Sequence, residues 1–278
     1  MNELFSNPSQ RHTPKGVHVG IGGWTYVPWR GGRFYPAGLV QRRELEFASR
    51  QLTAIEINST YYGTQKPATY ARWRDETPED FVFSAKAPKR ITAARHLAGT
   101  APQVDDFIGG IAEMGDKLGP LVWQFEAGRT LDSDDFATFI QHLPAQVGGR
   151  RLRHALEIRD AGFITPALLA LARTHGMALV YTDSPDYPNA ADLTADFVYA
   201  RLMRSAASEP DGYPAAELAQ WAQRVCQWRD GEDPAELPHA GGRAAAGPAR
   251  EVFVYFISAA KERNPAAAMA LLRVLAKT

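Results

Sequence analysis

Cysteine is nearly absent from this 278-residue chain. Cys226 stands alone, which excludes an intrachain disulfide framework and a zinc site built from thiolates. Net charge is missing as well, because 31 basic residues balance 31 acidic ones. The bulk electrostatic pull that long-range binding to DNA or an anionic membrane would use is therefore lacking. No apolar run approaches the ~20 residues of a membrane span. The first sixteen residues, MNELFSNPSQRHTPKG, contain no apolar segment of the secretory type, so a cytoplasmic protein is expected. The histidines at 12, 18, 96, 142, 154, 175 and 239 show neither H-x-H nor H-E-x-x-H spacing. The sequence requires no metal or other cofactor. A G-x-S-x-G elbow is absent too.

What is present is alternation. Apolar strand-like runs recur at Val17–Ile21, Thr53–Asn58, Phe81–Lys86, Leu121–Phe125, His154–Ile158, Met177–Thr182, Phe197–Leu202 and Val252–Phe256. Helix-like stretches separate them: 40–52, a short one from Pro67 to Trp73, one ending at Leu118-Gly119-Pro120, one beginning near Asp132–Asp135, 165–176, 214–229, and one capped by Asn264-Pro265. Behind the sixth strand only a short, weak helix is expected. Eight such units in about 260 residues match a closed (β/α)8 barrel, a single-domain α/β fold. The rival is an open nucleotide-binding sheet, invited by Gly20-Ile21-Gly22-Gly23. It fails because the third glycine of G-x-G-x-x-G is replaced by Thr25. Residues 1–16 read as a mobile tail, 17–278 as the barrel, and 231–250, rich in Gly, Ala and Pro, as a flexible loop.

In such a barrel the active site lies where the strands end. Glu56 and Asn58 share a face at the end of strand two, by the two-residue period of a strand. Lys86 ends strand three and Gln124 lies in strand four. Glu157 and Arg159 close strand five, Asp183 follows strand six, and Arg201 lies in strand seven. Glu56 and Glu157 are the candidate catalytic acid–base pair. Trp24, Asn58, Tyr61, Lys86, Gln124, Arg159, Asp183 and Arg201 are the candidate substrate contacts, with Trp24 as a stacking wall. A ring of buried charges is an expensive way to fill a barrel mouth that apolar side chains could fill instead. The competing reading at each residue is an ion pair that merely satisfies itself.

GIGGWTYVPWRGGRFYP, IEINSTYYGTQKPATYARW, FVFSAKAPKRIT, LGPLVWQF and LEIRDAGF together resemble the DUF72 family, the YecE-like proteins, from about Val17 to Leu275. The resemblance implies a TIM barrel whose function is unassigned. Gly23, Trp24, Tyr26, Trp29, Phe34, Tyr35 and Pro36 match its first signature. Glu56, Asn58, Ser59, Thr60 and Tyr61 match the second, with Tyr61 where phenylalanine is usual. Lys86, Ile91 and Thr92 fit the third, with Ala93 in place of histidine. Gln124 fits the fourth. Glu157 and Arg159 fit the fifth, with Asp160-Ala161 in place of His-Pro. Arg201 persists without the usual His-Gly behind it. Where the family often reads Tyr-Phe-Asn-Asn-Asp, this chain reads Tyr255-Phe256-Ile257-Ser258-Ala259.

Three functions compete. The first is an enzyme, a hydrolase or lyase using carboxylate acid–base chemistry, or a binding protein. Either would act on a small anionic molecule such as a phosphorylated or carboxylated sugar, held by Lys86, Arg159 and Arg201. The second, less favoured, is nucleic-acid binding or phosphodiester processing, with Lys86, Lys89, Arg90 and Arg95 beginning a basic stripe. The third is a non-catalytic scaffold whose mouth residues pair with one another. No membrane partner is expected.

Overall fold

The computed structural model describes residues 13–128 and 131–278. Eight parallel strands close into a barrel: β1 Val17–Gly22, β2 Ala54–Ile57, β3 Val82–Lys86, β4 Leu118–Phe125, β5 His154–Ile158, β6 Ala178–Thr182, β7 Phe197–Leu202 and β8 Glu251–Phe256. Each strand pairs with its sequence neighbours, and β1 pairs with β8 to close the ring. Helices α1 Glu44–Gln51, α2 Pro67–Asp75, α3 Ala101–Ile111, α4 Ser133–His142, α5 Pro166–Thr174, α6 Ala215–Arg229 and α7 Asn264–Leu275 pack around it. The (β/α)8 expectation holds, with one crossover lacking its helix: residues 183–196, between β6 and β7, form none. The expected tail falls, up to residue 12, outside the described residues.

Alternation along the strands sorts side chains into two cores. One face, with Val19, Ile21, Ile55, Phe83, Trp123 and Leu156, packs outward against the helices. The inner core is smaller: Ala54, Val122, Ala155, Ala178 and Val180 leave room for Phe197, Tyr199, Phe253 and Tyr255. Small residues facing large rings fill a tapering barrel without voids. Gly20 belongs to the same arrangement, since a Cβ there would meet the Ala54 carbonyl oxygen at 2.0 Å.

One boundary differs from the sequence reading. Leu118-Gly119-Pro120 resembles a helix stop, yet it opens β4. The helical chain has already tightened into a 3-10 segment at Ala112–Lys117. Pro120 cannot donate a ladder hydrogen bond, and the β3–β4 register shifts opposite it, between Phe83 and Ala85. Gly119 sits where a Cβ would lie 2.6 Å from Val82 Cγ1.

At the same, N-terminal end of the barrel, Gln146–Val147 and Arg150–Arg151 form a small antiparallel ribbon. Its turn, Gly148-Gly149, has φ of 55° and 77°, as a two-residue hairpin of the primed type requires. The 231–250 segment forms no helix or strand. Two buried carboxylates tie its middle: Asp233 accepts from His239 Nε2 and the Ala244 amide, and Asp192 from the amides of Ala240 and Gly241.

Candidate functional site at the C-terminal barrel mouth

Arg201 is the centre of the site. It lies on β7, two residues above Tyr199, and is only 2 % exposed. Its Nη1 donates to Glu157 Oε2 on β5, and its Nη2 to Glu56 Oε1 on β2 at 2.9 Å. The second oxygen of each carboxylate is also taken. Glu56 Oε2 accepts from the Tyr199 hydroxyl at 2.7 Å, and Glu157 Oε1 from Arg159 Nε at 2.9 Å. Burial raises the Tyr199 hydroxyl well above its ordinary pKa, so it stays a donor.

Arg159 carries the network to the rim. Its Nη2 donates to Gln124 Oε1 at 3.0 Å, and its Nη1 to Glu126 Oε2 at 2.8 Å and to the Tyr187 hydroxyl at 3.2 Å. The Tyr187 ring lies 4.1 Å from the guanidinium carbon, a stacking contact suited to Arg. Gln124 reaches from Arg159 and Arg201 to Glu126 through its amide nitrogen. Glu126 Oε1 also accepts from Tyr61 at 3.0 Å. Glu126 is half-exposed, and despite the opposing effect of burial, Arg159 and its hydrogen bonds hold its carboxyl below the usual range.

Lys86 is the exception. It ends β3 and is 8 % exposed, and its ammonium makes no hydrogen bond or ion pair among the described residues. Its ammonium rests 3.9 Å from the centre of the Tyr61 ring. Burial, seconded by Arg201, pulls its pKa down to about 8, against the upward pull of Glu56 and Glu157. The Tyr61 phenol is pushed up to about 12, chiefly by burial and then by Glu126.

Of the ten residues singled out from sequence, Glu56, Tyr61, Lys86, Gln124, Glu157, Arg159 and Arg201 converge on this mouth. Asn58 stands just above Glu56, its amide 3.4 Å from the Glu56 carbonyl. It occupies the space beside Gly22, where a Cβ would lie 2.9 Å from Asn58 Nδ2.

Two expectations need correction. Trp24 is no wall of the mouth. Gly23, at φ +73°, turns the chain, and the Trp24 ring packs edge-on against Trp73 at 4.8 Å, in the layer between barrel and helices. There it lines a separate cavity of about 650 Å³ with Arg42, Leu45 and Arg72. Asp183 also faces away, because Thr182 takes the inward position of β6. Its carboxylate accepts from the Met203 amide and, at 3.0 Å, from the Tyr213 hydroxyl. Burial raises Asp183 to about 6.

Tyr199, Glu126 and Tyr187 belong to the network and were missed. Tyr199 and Glu126 carry the same signal as residues that were found, since they stand two positions from Arg201 and Gln124. Tyr187 lies on the helix-free β6–β7 connection, where no periodicity exists to read.

The segment after β8, which lacks the Asn-Asn-Asp that the sequence resemblance implies there, has an unusual backbone. Ser258 and Ala259 adopt φ of 60° and 47°, a left-handed conformation that Asn tolerates far better than Ala. Among the described residues, no group of three or more His, Cys, Asp or Glu gathers as a metal site would. No helix among them is long and apolar enough to cross a membrane.

Comparison with known proteins places this geometry. A family model described as "Protein of unknown function DUF72" matches residues 18–278. The UPF0759 protein YecE of Escherichia coli K12 is 24% identical over 245 residues, covering 78% of this chain and 84% of its own. Two solved DUF72 family structures share the fold. That from Thermotoga maritima has a TM-score of 0.69 at 18% identity, covering 94% of this chain and 99% of its own. That from Enterococcus faecalis has a TM-score of 0.67 at 18% identity, covering 95% and 98%.

Proposed function

The chain belongs to the DUF72 family, and from that premise we propose that its C-terminal barrel mouth takes a small, polar, anionic molecule, of the phosphorylated or carboxylated sugar type, as ligand or substrate. One observation carries this reading: among the described residues the buried Lys86 ammonium has no hydrogen-bond or ion-pair partner, although every carboxylate of the mouth is taken by another group. Glu56 and Glu157 balance Arg159 and Arg201 through direct pairs. The remaining acid, Glu126, sits at the half-exposed rim and is held by Arg159, Gln124 and Tyr61. A scaffold would gain stability by replacing an unpaired buried ammonium with an apolar side chain. An anion seated against Lys86 supplies the missing counter-charge.

In this reading Glu56 and Glu157 are positioning residues. All four of their oxygens accept from Arg or Tyr. Either would have to release a donor before acting as general acid or base, the role their strand-end positions suggested. The nucleic-acid alternative has less behind it, because Arg90 is engaged by Asp106 at 2.6 Å and Lys86 belongs to the interior network.

Thermal-shift measurements with inorganic phosphate, glucose 6-phosphate and galacturonate test the proposal. At least one should raise the wild-type melting temperature saturably, by several degrees near 100 times its Kd, since such binding adds about 2.7 kcal/mol. Lys86→Met should abolish that shift. If none of the three moves the wild-type midpoint, the proposal fails.

A further inference from the structure

Beyond holding an anion, Lys86 is chemically uncommitted, and that narrows the ligand class. We infer that Lys86 is a nucleophilic amine that condenses with the carbonyl of an anionic aldehyde or ketone at the barrel mouth, forming a protonated imine. The inference rests on the reading above, that the mouth takes an anion, and adds what that anion must carry.

The geometry sets Lys86 apart from every charged neighbour. Arg201 is clamped between Glu56 and Glu157, and Arg159 is spread over Glu157, Gln124, Glu126 and Tyr187. Guanidinium groups are in any case always protonated and non-nucleophilic. The Lys86 nitrogen lies 3.9 Å from the Tyr61 ring, whose face accepts no proton, and it has no hydrogen-bond or ion-pair partner among the described residues. Its stem is fixed by the last residue of β3, registered against Val122 of β4. The Lys86 carbonyl is bonded by Thr60 Oγ1 at 2.7 Å. The backbone is thus held while the nitrogen remains available. The charged groups bearing on its protonation are Arg201, Glu56, Glu157 and Arg159, with the Tyr61 ring against it. Burial prevails among these influences and favours the free amine.

The step balances without an oxidant or reductant. The ammonium gives up one proton, and the nitrogen lone pair forms a bond to the carbonyl carbon. The proton released and a second one from nitrogen pass to the carbonyl oxygen, which leaves as water when the carbon–nitrogen double bond forms. R–NH3+ and O=C become R–NH+=C and H2O. The positive charge that meets the anion's carboxylate or phosphate is still present afterwards, so capture and condensation call on the same electrostatics.

Reductive trapping tests this on the full-length protein. Glyoxylate with cyanoborohydride near pH 8, followed by peptide mass mapping, should label Lys86 saturably. The preference over exposed lysines should be tenfold or more, a fraction of the roughly hundredfold advantage in free amine that a pKa of about 8 gives over an ordinary lysine near this pH. Lys86→Arg, which keeps the cation but cannot form the imine, should lose the label. Label spread over exposed lysines, or none at Lys86, overturns the inference. The thermal shifts with the anions named above separate the two proposals, above all the shift with inorganic phosphate, which has no carbonyl and cannot form an imine. Stabilisation by those anions without trapping removes only the nucleophile, and absence of both removes the anion site as well.

Discussion

The two ends of the barrel handle charge in opposite ways. At the N-terminal end Arg150 pairs with Asp116 and Arg151 with Asp196, both more than half exposed, while Arg153 pairs with the half-buried Glu251, which His18 also approaches at 3.7 Å. The first two pairs stand largely in water. The buried polar contact near that end is neutral. Trp123 Nε1 donates to His154 Nδ1 at 3.0 Å, while His154 Nε2 meets the Pro144 carbonyl at 2.9 Å. At the C-terminal end all the charges but the rim residue Glu126 are buried, each carboxylate is shared, and one cation has no partner among the described residues. Exposed pairs balance locally and need no more explanation than solubility. A shared buried network with a remainder is costly to keep, which is why the mouth reads as functional.

The largest test of this contrast is Arg201→Met. Removing the central cation leaves Glu56 and Glu157 buried without their common partner, with an expected loss of about 3–5 kcal/mol. Urea denaturation should show it, and adding Glu56→Gln and Glu157→Gln should restore much of the loss. A change below about 1 kcal/mol, the range of an exposed pair, would erase the distinction between the two ends.

Next in size is acid titration of His154. Burial lowers its pKa from 6.5 to about 4. Between those values the unfolded chain binds the proton and the folded one does not. The stabilisation is therefore complete above pH 6.5 and is lost as pH falls towards 4, by about 3 kcal/mol. Urea midpoints measured over that range should carry this component, and His154→Asn should remove it. A wild-type curve no steeper than the variant's would mean that the imidazole is not held neutral.

The smallest effect belongs to Arg151→Ala. Its pair with Asp196 is more than half exposed on both sides. The loss should be roughly 0–1 kcal/mol and should vanish in high salt. A loss as large as that of Arg201→Met would place the two ends on the same footing.

The eight strands were legible because buried parallel strands are continuous apolar runs, and the mouth because a two-residue period fixes which residues share a face. Glu56, Gln124, Glu157 and Arg201 follow from that rule alone. It fails where the backbone leaves the pleat. Trp24 follows a glycine with positive φ, so its direction could not be inferred from β1. The β4 start was hidden by a Gly-Pro pair that ends helices more often than it opens strands. The absence of a partner for Lys86 could not be read at all, since it depends on five strands meeting in space.

The missing helix between β6 and β7 bears on how such a barrel could be re-purposed. A crossover helix must fit the neighbours on either side of it in the outer ring. The near part of the loop in its place is organised from within, by the Asn189 amide bonding the carbonyls of Thr182, Ser184 and Tyr187, and Asp192 ties its far part to the 231–250 segment. The tip between these two anchored parts is therefore the portion open to change. It delivers Tyr187 to Arg159, so a graft of different length or composition there would rewrite what the entrance admits and leave the load of folding to the rest of the chain.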